Sequence, residues 1–180
     1  METKIFGDKK LTFYTMSAKE LKFAREYLDF INSLIEEDAK ILMNKRASLK
    51  DEVEFLKGAI KSVKSKKKVY VITKDNNKVV ANTSIELQSF RRSHIGKFGI
   101  AIRDGYRGIG LGKYIMAEVL KMAKKNLPGL KIFQLEVYEN NKPAIALYKK
   151  MGFKEVGKVP KQIQHNGKLI GEYIMIKEAK

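Results

Sequence analysis

Apolar residues change their spacing several times along the chain, and each change marks an element. Residues 11–15, LTFYT, alternate as a short strand does. Ser17 followed by Glu20 has the form of a capping box, and Leu21, Ala24, Leu28 and Ile31 recur behind it at helical spacing. A second helix is expected from Ser48, with Asp51 three residues on and Leu49, Val53, Leu56, Ile60 and Val63 along one face. The segment between them, 33–47, reads as a short turn of helix plus loop. Runs at 69–73 and 79–90 predict two strands joined by the polar turn KDNNK, and a third strand at 97–103 leads straight into RGIGLG. A helix over 111–125 puts Leu111, Ile115, Val119 and Met122 on one face and stops at LPGLK. A strand at 131–138, a helix at 141–150 and two strands around the HNG turn at 165–167 complete the chain. The order β-α-α-β-β-β-α-β-α-β-β, without repeat or linker, predicts one α+β domain over residues 1–180 on a mainly antiparallel sheet with one βαβ-like core.

Composition narrows the chemistry. The chain of 180 residues is 44% hydrophobic, enough for a buried core. It has no cysteine, which excludes a disulfide framework, a thiolate nucleophile and a cysteine zinc site, and its two histidines lie far apart, so no metal is expected. Backbone groups, carboxylates, Tyr and Lys remain as the agents of chemistry. The opening METKIFGDKK lacks the apolar core of a signal peptide and no apolar run reaches bilayer length, so the expectation is a soluble cytoplasmic protein without a membrane partner. The net charge is +17, yet only six of the 37 basic residues are Arg, and the lysines are scattered apart from one run at 61–70. That pattern favours a solvated cationic surface over a nucleic-acid groove, while its field attracts any phosphorylated cofactor.

RGIGLGKYIM, residues 107–116, sets three glycines at alternate positions between a strand and a helix. Unpaired backbone N–H groups and a helix N-terminus make such a stretch fit to hold phosphate. It is not a P-loop, because Lys113 is followed by Tyr114, and it is not the dinucleotide fingerprint, because Ile115 stands where the third glycine belongs. A glycine-rich turn packed on a sheet is the other reading of the same residues. What remains is Arg107-x-x-Gly110-x-Gly112, which resembles the coenzyme A pyrophosphate loop of the GNAT superfamily of N-acetyltransferases. A second stretch, LEVYENNKPAIALYKKMGFKEVG at 135–157, is similar to the other half of that family's cofactor site, with Asn141, Ala144, Leu147, Tyr148, Gly152 and Phe153 at its positions.

The resemblance implies a mixed, mainly antiparallel central sheet of about seven strands flanked by about four helices, in which two parallel strands splay to form the gap for acetyl-CoA. It implies that main-chain groups of Ile100 and Ile102 pair with the pantetheine arm, with Ala101 between them in the cofactor-binding stretch, and that Gly108, Ile109, Gly110, Leu111, Gly112 and Lys113 wrap the pyrophosphate. Arg107 and Lys113 either add charge to phosphate or are plain surface cations. Tyr148 takes the position of the general acid, and Asn140 or Asn141 either bonds the cofactor or caps the following helix. Two carboxylates are candidates for the base: Glu86, on an alternating polar face with Asn82, Ser84 and Gln88, and Glu36. Glu36, Glu37 and Asp38 form the tight acidic cluster where the family places its acceptor wall, and so point to a cationic amine. The expected reaction is direct transfer of an acetyl group from acetyl-CoA to a primary amine of a polyamine-like molecule or protein. The alternative is a non-catalytic module on the same fold that senses acyl-CoA or binds nucleic acid, and a homodimer is compatible with either.

Overall fold

A computed structural model describes residues 2–179. It contains eight strands: β1 (Glu2–Phe6), β2 (Lys9–Thr15), β3 (Lys68–Asp75), β4 (Lys78–Leu87), β5 (Ile95–Ile102), β6 (Ile132–Tyr138), β7 (Lys154–His165) and β8 (Lys168–Glu178). The four α-helices are α1 (Ala24–Glu36), α2 (Leu49–Lys64), α3 (Leu111–Asn126) and α4 (Lys142–Lys150). The β1/β2, β2/β3, β3/β4, β6/β8 and β7/β8 ladders run antiparallel and β5/β6 runs parallel. The fold is therefore the mixed, mainly antiparallel α+β class expected, with one strand more.

That extra strand is β1, which pairs with β2 through a hairpin turned at Gly7. Its residues are nearly all exposed, so it carries no apolar alternation to reveal it. A second departure is the entry to α1. Ser17 makes no side-chain cap, and Glu20 is buried, where it accepts hydrogen bonds from the Tyr27 hydroxyl at 2.8 Å and the Lys74 ammonium at 3.0 Å. An ammonium and a phenol hold a carboxylate more strongly than a backbone amide does, so Glu20 faces inward and residues 18–23 form a tighter 3-10 turn. The Ser48–Asp51 capping box of α2 is present as expected.

The chain forms two compact units, one made of the chain up to Glu86 with Gly99–Pro128, the other of Leu87–Phe98 with Gly129 onward. In the first, β1-β2-β3-β4 and the C-terminal half of β5 are neighbours in that order. Tyr27, Phe30 and Leu34 of α1 and Leu56 and Ile60 of α2 pack on Tyr70 and Ile72 of β3. On the opposite side of these strands, Leu111 and Ile115 of α3 pack on Leu11, Phe13, Val80 and Ala81. In the second unit, the N-terminal half of β5 is followed by β6, β8 and β7, and the rings of Phe98, Tyr148 and Phe153 contact one another. The β5/β6 ladder covers Ile95↔Ile132 to Lys97↔Gln134, although both strands continue. β7, last in the order, breaks register with β8 twice, between Glu155 and Gly157 and between Val159 and Ile163.

Candidate functional site

The glycine stretch adopts the conformation its composition demands. Gly108 and Gly110 have φ of 77° and 87°, in the left-handed region where a Cβ is strained, and the added Cβ would touch nothing, so backbone shape alone selects glycine there. Gly110 is the N-cap of α3, and its carbonyl accepts the first helical bond, from the Tyr114 N–H at 3.2 Å. The amides of Leu111, Gly112 and Lys113 precede that bond and stand at the positive end of the helix. These are the donors a pyrophosphate requires.

The strand leading into the loop has its own polarity. The Arg103 N–H donates to the Val80 carbonyl at 2.9 Å and the Thr83 hydroxyl to the Gly99 carbonyl at 2.9 Å. By alternation, Ala101 also directs its backbone toward β4, whereas Ile100 and Ile102 direct theirs away from it. Ala101 thus differs from its two neighbours within the stretch expected to meet a pantetheine. The Ile102 carbonyl accepts from Arg107 Nε at 2.7 Å.

The acidic residues at the end of α1 are engaged. Glu36 pairs with Arg46, and Glu37 takes the Arg107 guanidinium on one oxygen and the Asp104 N–H, at 3.0 Å, on the other. The cluster is therefore not the open negative patch that its spacing suggested: two of its three charges face arginines.

A different pair of carboxyls lines the α2 side of β3 and β4. In the ladder Lys68 lies opposite Glu86, Tyr70 opposite Ser84 and Ile72 opposite Asn82, so these side chains share a face. The expected polar face of β4 is half-buried. Glu86 pairs with Lys68 at 3.0 Å, and Lys68 Nζ sits 5.3 Å from the centre of the Tyr70 ring. The Asn82 amide donates to the Tyr70 hydroxyl at 2.9 Å. Glu52, on α2, is 7% exposed and no side-chain hydrogen bond satisfies it; burial pushes its carboxyl up to about 7, and its charge in turn adds to the raised pKa of Tyr70, which burial dominates. Glu52 escaped the sequence reading, yet its signal was there: it sits three residues after Leu49 and four before Leu56, inside an apolar stripe.

In the second unit Tyr148 is 7% exposed, packed edge-to-face on Phe98 at 5.9 Å, and burial pushes its phenol up to about 12. Asn141 caps α4, its Oδ1 accepting the Ala144 N–H at 3.4 Å, while Asn140 is exposed. His94 and His165 join no cluster able to hold a metal, and among the described residues there is none. No helix among these residues is long and apolar enough to cross a membrane.

Known proteins share this architecture. The sequence model of the acetyltransferase (GNAT) family matches residues 31–153. Over 98 residues the chain is 35% identical to the L-amino acid N-acetyltransferase AaaT of Escherichia coli (strain K12), a match covering 54% of this chain and 60% of that protein's length. A GNAT acetyltransferase structure from Streptococcus pneumoniae superposes with a TM-score of 0.81 at 25% identity, covering 93% of this chain and 99% of that one. A phosphinothricin acetyltransferase from Sinorhizobium meliloti, solved in complex with AcCoA, superposes at 0.78 over 93% of this chain and 88% of that one; at 15% identity that likeness is one of fold. With the family model spanning most of the chain, and with both motif halves on the expected strand–loop–helix elements, the chain belongs to the GNAT acetyltransferase family.

Proposed function

We propose that this chain is an acetyl-CoA-dependent N-acetyltransferase whose acceptor is a cationic primary amine. The observation that carries the acceptor class is the Glu52 carboxyl of α2, buried and without a hydrogen bond of its own, near Tyr70, which shares its sheet face with Glu86. In a chain of net charge +17 a cation approaches against the long-range field, and a buried carboxylate is a strong local attraction once it ionises. Lys68 already models the fit: its ammonium rests on Glu86, with Phe55 and Tyr70 ring centres 5.8 and 5.3 Å away.

The loop residues fit the cofactor. The amides of Gly108–Lys113 and the unused N–H groups of Arg107 would take the pyrophosphate, and the outward backbone of Ile100 and Ile102 would take the amide-bearing arm. Acetyl-CoA supplies the activated acetyl thioester. The amine must lose a proton, which Glu86 or Glu52 would accept; as the acetyl carbon leaves sulfur for nitrogen the departing thiolate must gain one, the role that the family resemblance gives the Tyr148 phenol, still protonated at neutral pH. Glu36 and Glu37, held by arginines, leave the attraction of the amine to Glu52 and Glu86.

An acceptor panel read by thiol release between pH 6 and 9 tests this. Diamines and lysine-like amines are expected to outrun neutral-tailed amines, with rates rising through pH about 7 as Glu52 ionises, and Glu52→Gln is expected to flatten that limb. Equal rates for neutral and cationic acceptors would remove the acceptor class. Salt-sensitive retention on DNA with no thiol release from any amine would favour the binding-module alternative.

A further inference from the structure

Glu37 is the C-cap of α1, one residue past its last turn and far in sequence from the glycine stretch, yet its carboxylate reaches that loop. One oxygen accepts from the Arg107 guanidinium and the other from the Asp104 N–H at 3.0 Å. Arg107 is in turn fixed by its Nε to the Ile102 carbonyl at 2.7 Å. Two of the five guanidinium N–H donors are thereby engaged, and three remain. The loop is tied a third time where the Tyr106 hydroxyl donates to Asp75 at 2.9 Å. About two turns earlier, on α1, Asp29 takes the buried Arg103 guanidinium at 2.7 Å, just before the loop begins. Helix α1 therefore grips residues 103–107 through two acid–arginine pairs and one backbone bond, all on the side of the loop that precedes the left-handed Gly108 and Gly110.

We propose that Glu37 is a positioning residue for the phosphate-binding loop: it staples residues 104 and 107 to the end of α1 and thereby aims Arg107 and the amides that follow at the cofactor's pyrophosphate. This rests on the reading that the loop takes that pyrophosphate. A free loop of this length, with three glycines at positive φ, loses backbone entropy when it closes on a ligand; a loop already stapled has lost it on folding. The geometry also carries an opposite possibility, in which Glu37 competes with phosphate for Arg107 and its removal tightens binding. Three unused guanidinium donors argue for the staple, since phosphate has its own edge to bind.

The experiment is calorimetric titration of coenzyme A into wild-type protein, Glu37→Gln, Glu37→Ala, Arg107→Ala and the Glu37→Ala/Arg107→Ala double variant, together with acceptor and acetyl-CoA KM values. Glu37→Ala is expected to weaken coenzyme A about tenfold and Glu37→Gln, whose amide oxygen still accepts one of the two bonds, about threefold. The acceptor KM is expected to hold in both, and Glu37→Ala is expected to cost clearly less in the Arg107→Ala background, because the two act as one unit. Coenzyme A binding that is unchanged or tighter in both Glu37 variants, or a loss confined to the acceptor KM, overturns the proposal. Additive losses in the double variant overturn it too. Wild-type protein that does not bind coenzyme A overturns the loop reading itself, an outcome distinct from variants that bind as the wild type does.

Discussion

Tyr148 is the residue whose environment constrains the chemistry most. A buried phenol near 12 lies about 5 kcal/mol uphill as an acid toward a free thiolate, whose ordinary pKa is about 8.5. In the role proposed for it, the phenol would work first as a hydrogen-bond donor to negative charge developing on sulfur, with the proton following. Tyr148→Phe is expected to lower kcat about 10²-fold while leaving the acetyl-CoA KM in place, measured by steady-state thiol release. Since the phenol keeps its proton to pH about 12, it puts no falling alkaline limb on the rate below about pH 11. Glu52 has the reverse consequence for the fold. Its carboxyl is raised from an ordinary 4.5 to about 7, so between those values the unfolded chain ionises while the buried group does not. Its contribution is full below about pH 4.5 and is lost as pH rises through about 7. Glu52→Gln is accordingly expected to melt higher than wild type above pH 7, by about 1–3 kcal/mol in stability, and to lose that advantage toward pH 4.5. A constant difference across pH would mean that Glu52 titrates alike in the folded and unfolded chain.

At the scale of elements the β5–loop–α3 passage is the proposed seat of the cofactor. Gly110 is both the left-handed N-cap of α3 and a neighbour of the open amides, so Gly110→Val strains the cap and closes the donors in one change. Wild-type protein is expected to gain a thermal shift with millimolar acetyl-CoA, worth about 2.7 kcal/mol at 100 times the dissociation constant, and the Gly110→Val variant none. This loop was legible in the sequence because its message is steric: alternate glycines after a strand have few uses. The helices α2, α3 and α4 were legible through their apolar stripes and through the Ser48 and Asn141 caps. What escaped is what long-range pairing decides. Glu20 is recruited by Lys74, 54 residues away, and Glu37 by Arg107, 70 residues away, and local spacing says nothing of either partner. The same holds for β1, whose exposed residues are placed by the ladder to β2 and by the Tyr114 hydroxyl bonded to Glu2 at 2.9 Å.

For the molecule as a whole the charge of +17 sets the background on which every local acid acts. Glu20, Asp29, Glu36, Glu37, Glu86, Glu136 and Glu139 each hold a basic partner. With so many acids internally matched, the excess of lysine faces water and repels other cations at long range. The two ends of the strand order reinforce this. β1 exposes Lys4 and Glu2, already joined at 3.1 Å, and β7 exposes Lys154, Lys158 and Lys161 along a strand interrupted twice and carrying Pro160. Neither edge offers the flat, uncharged row of amides and carbonyls that another chain needs for docking strand to strand. The broken register of β7 thus gives that border interruptions and lysines where an unbroken ladder would invite a neighbouring strand.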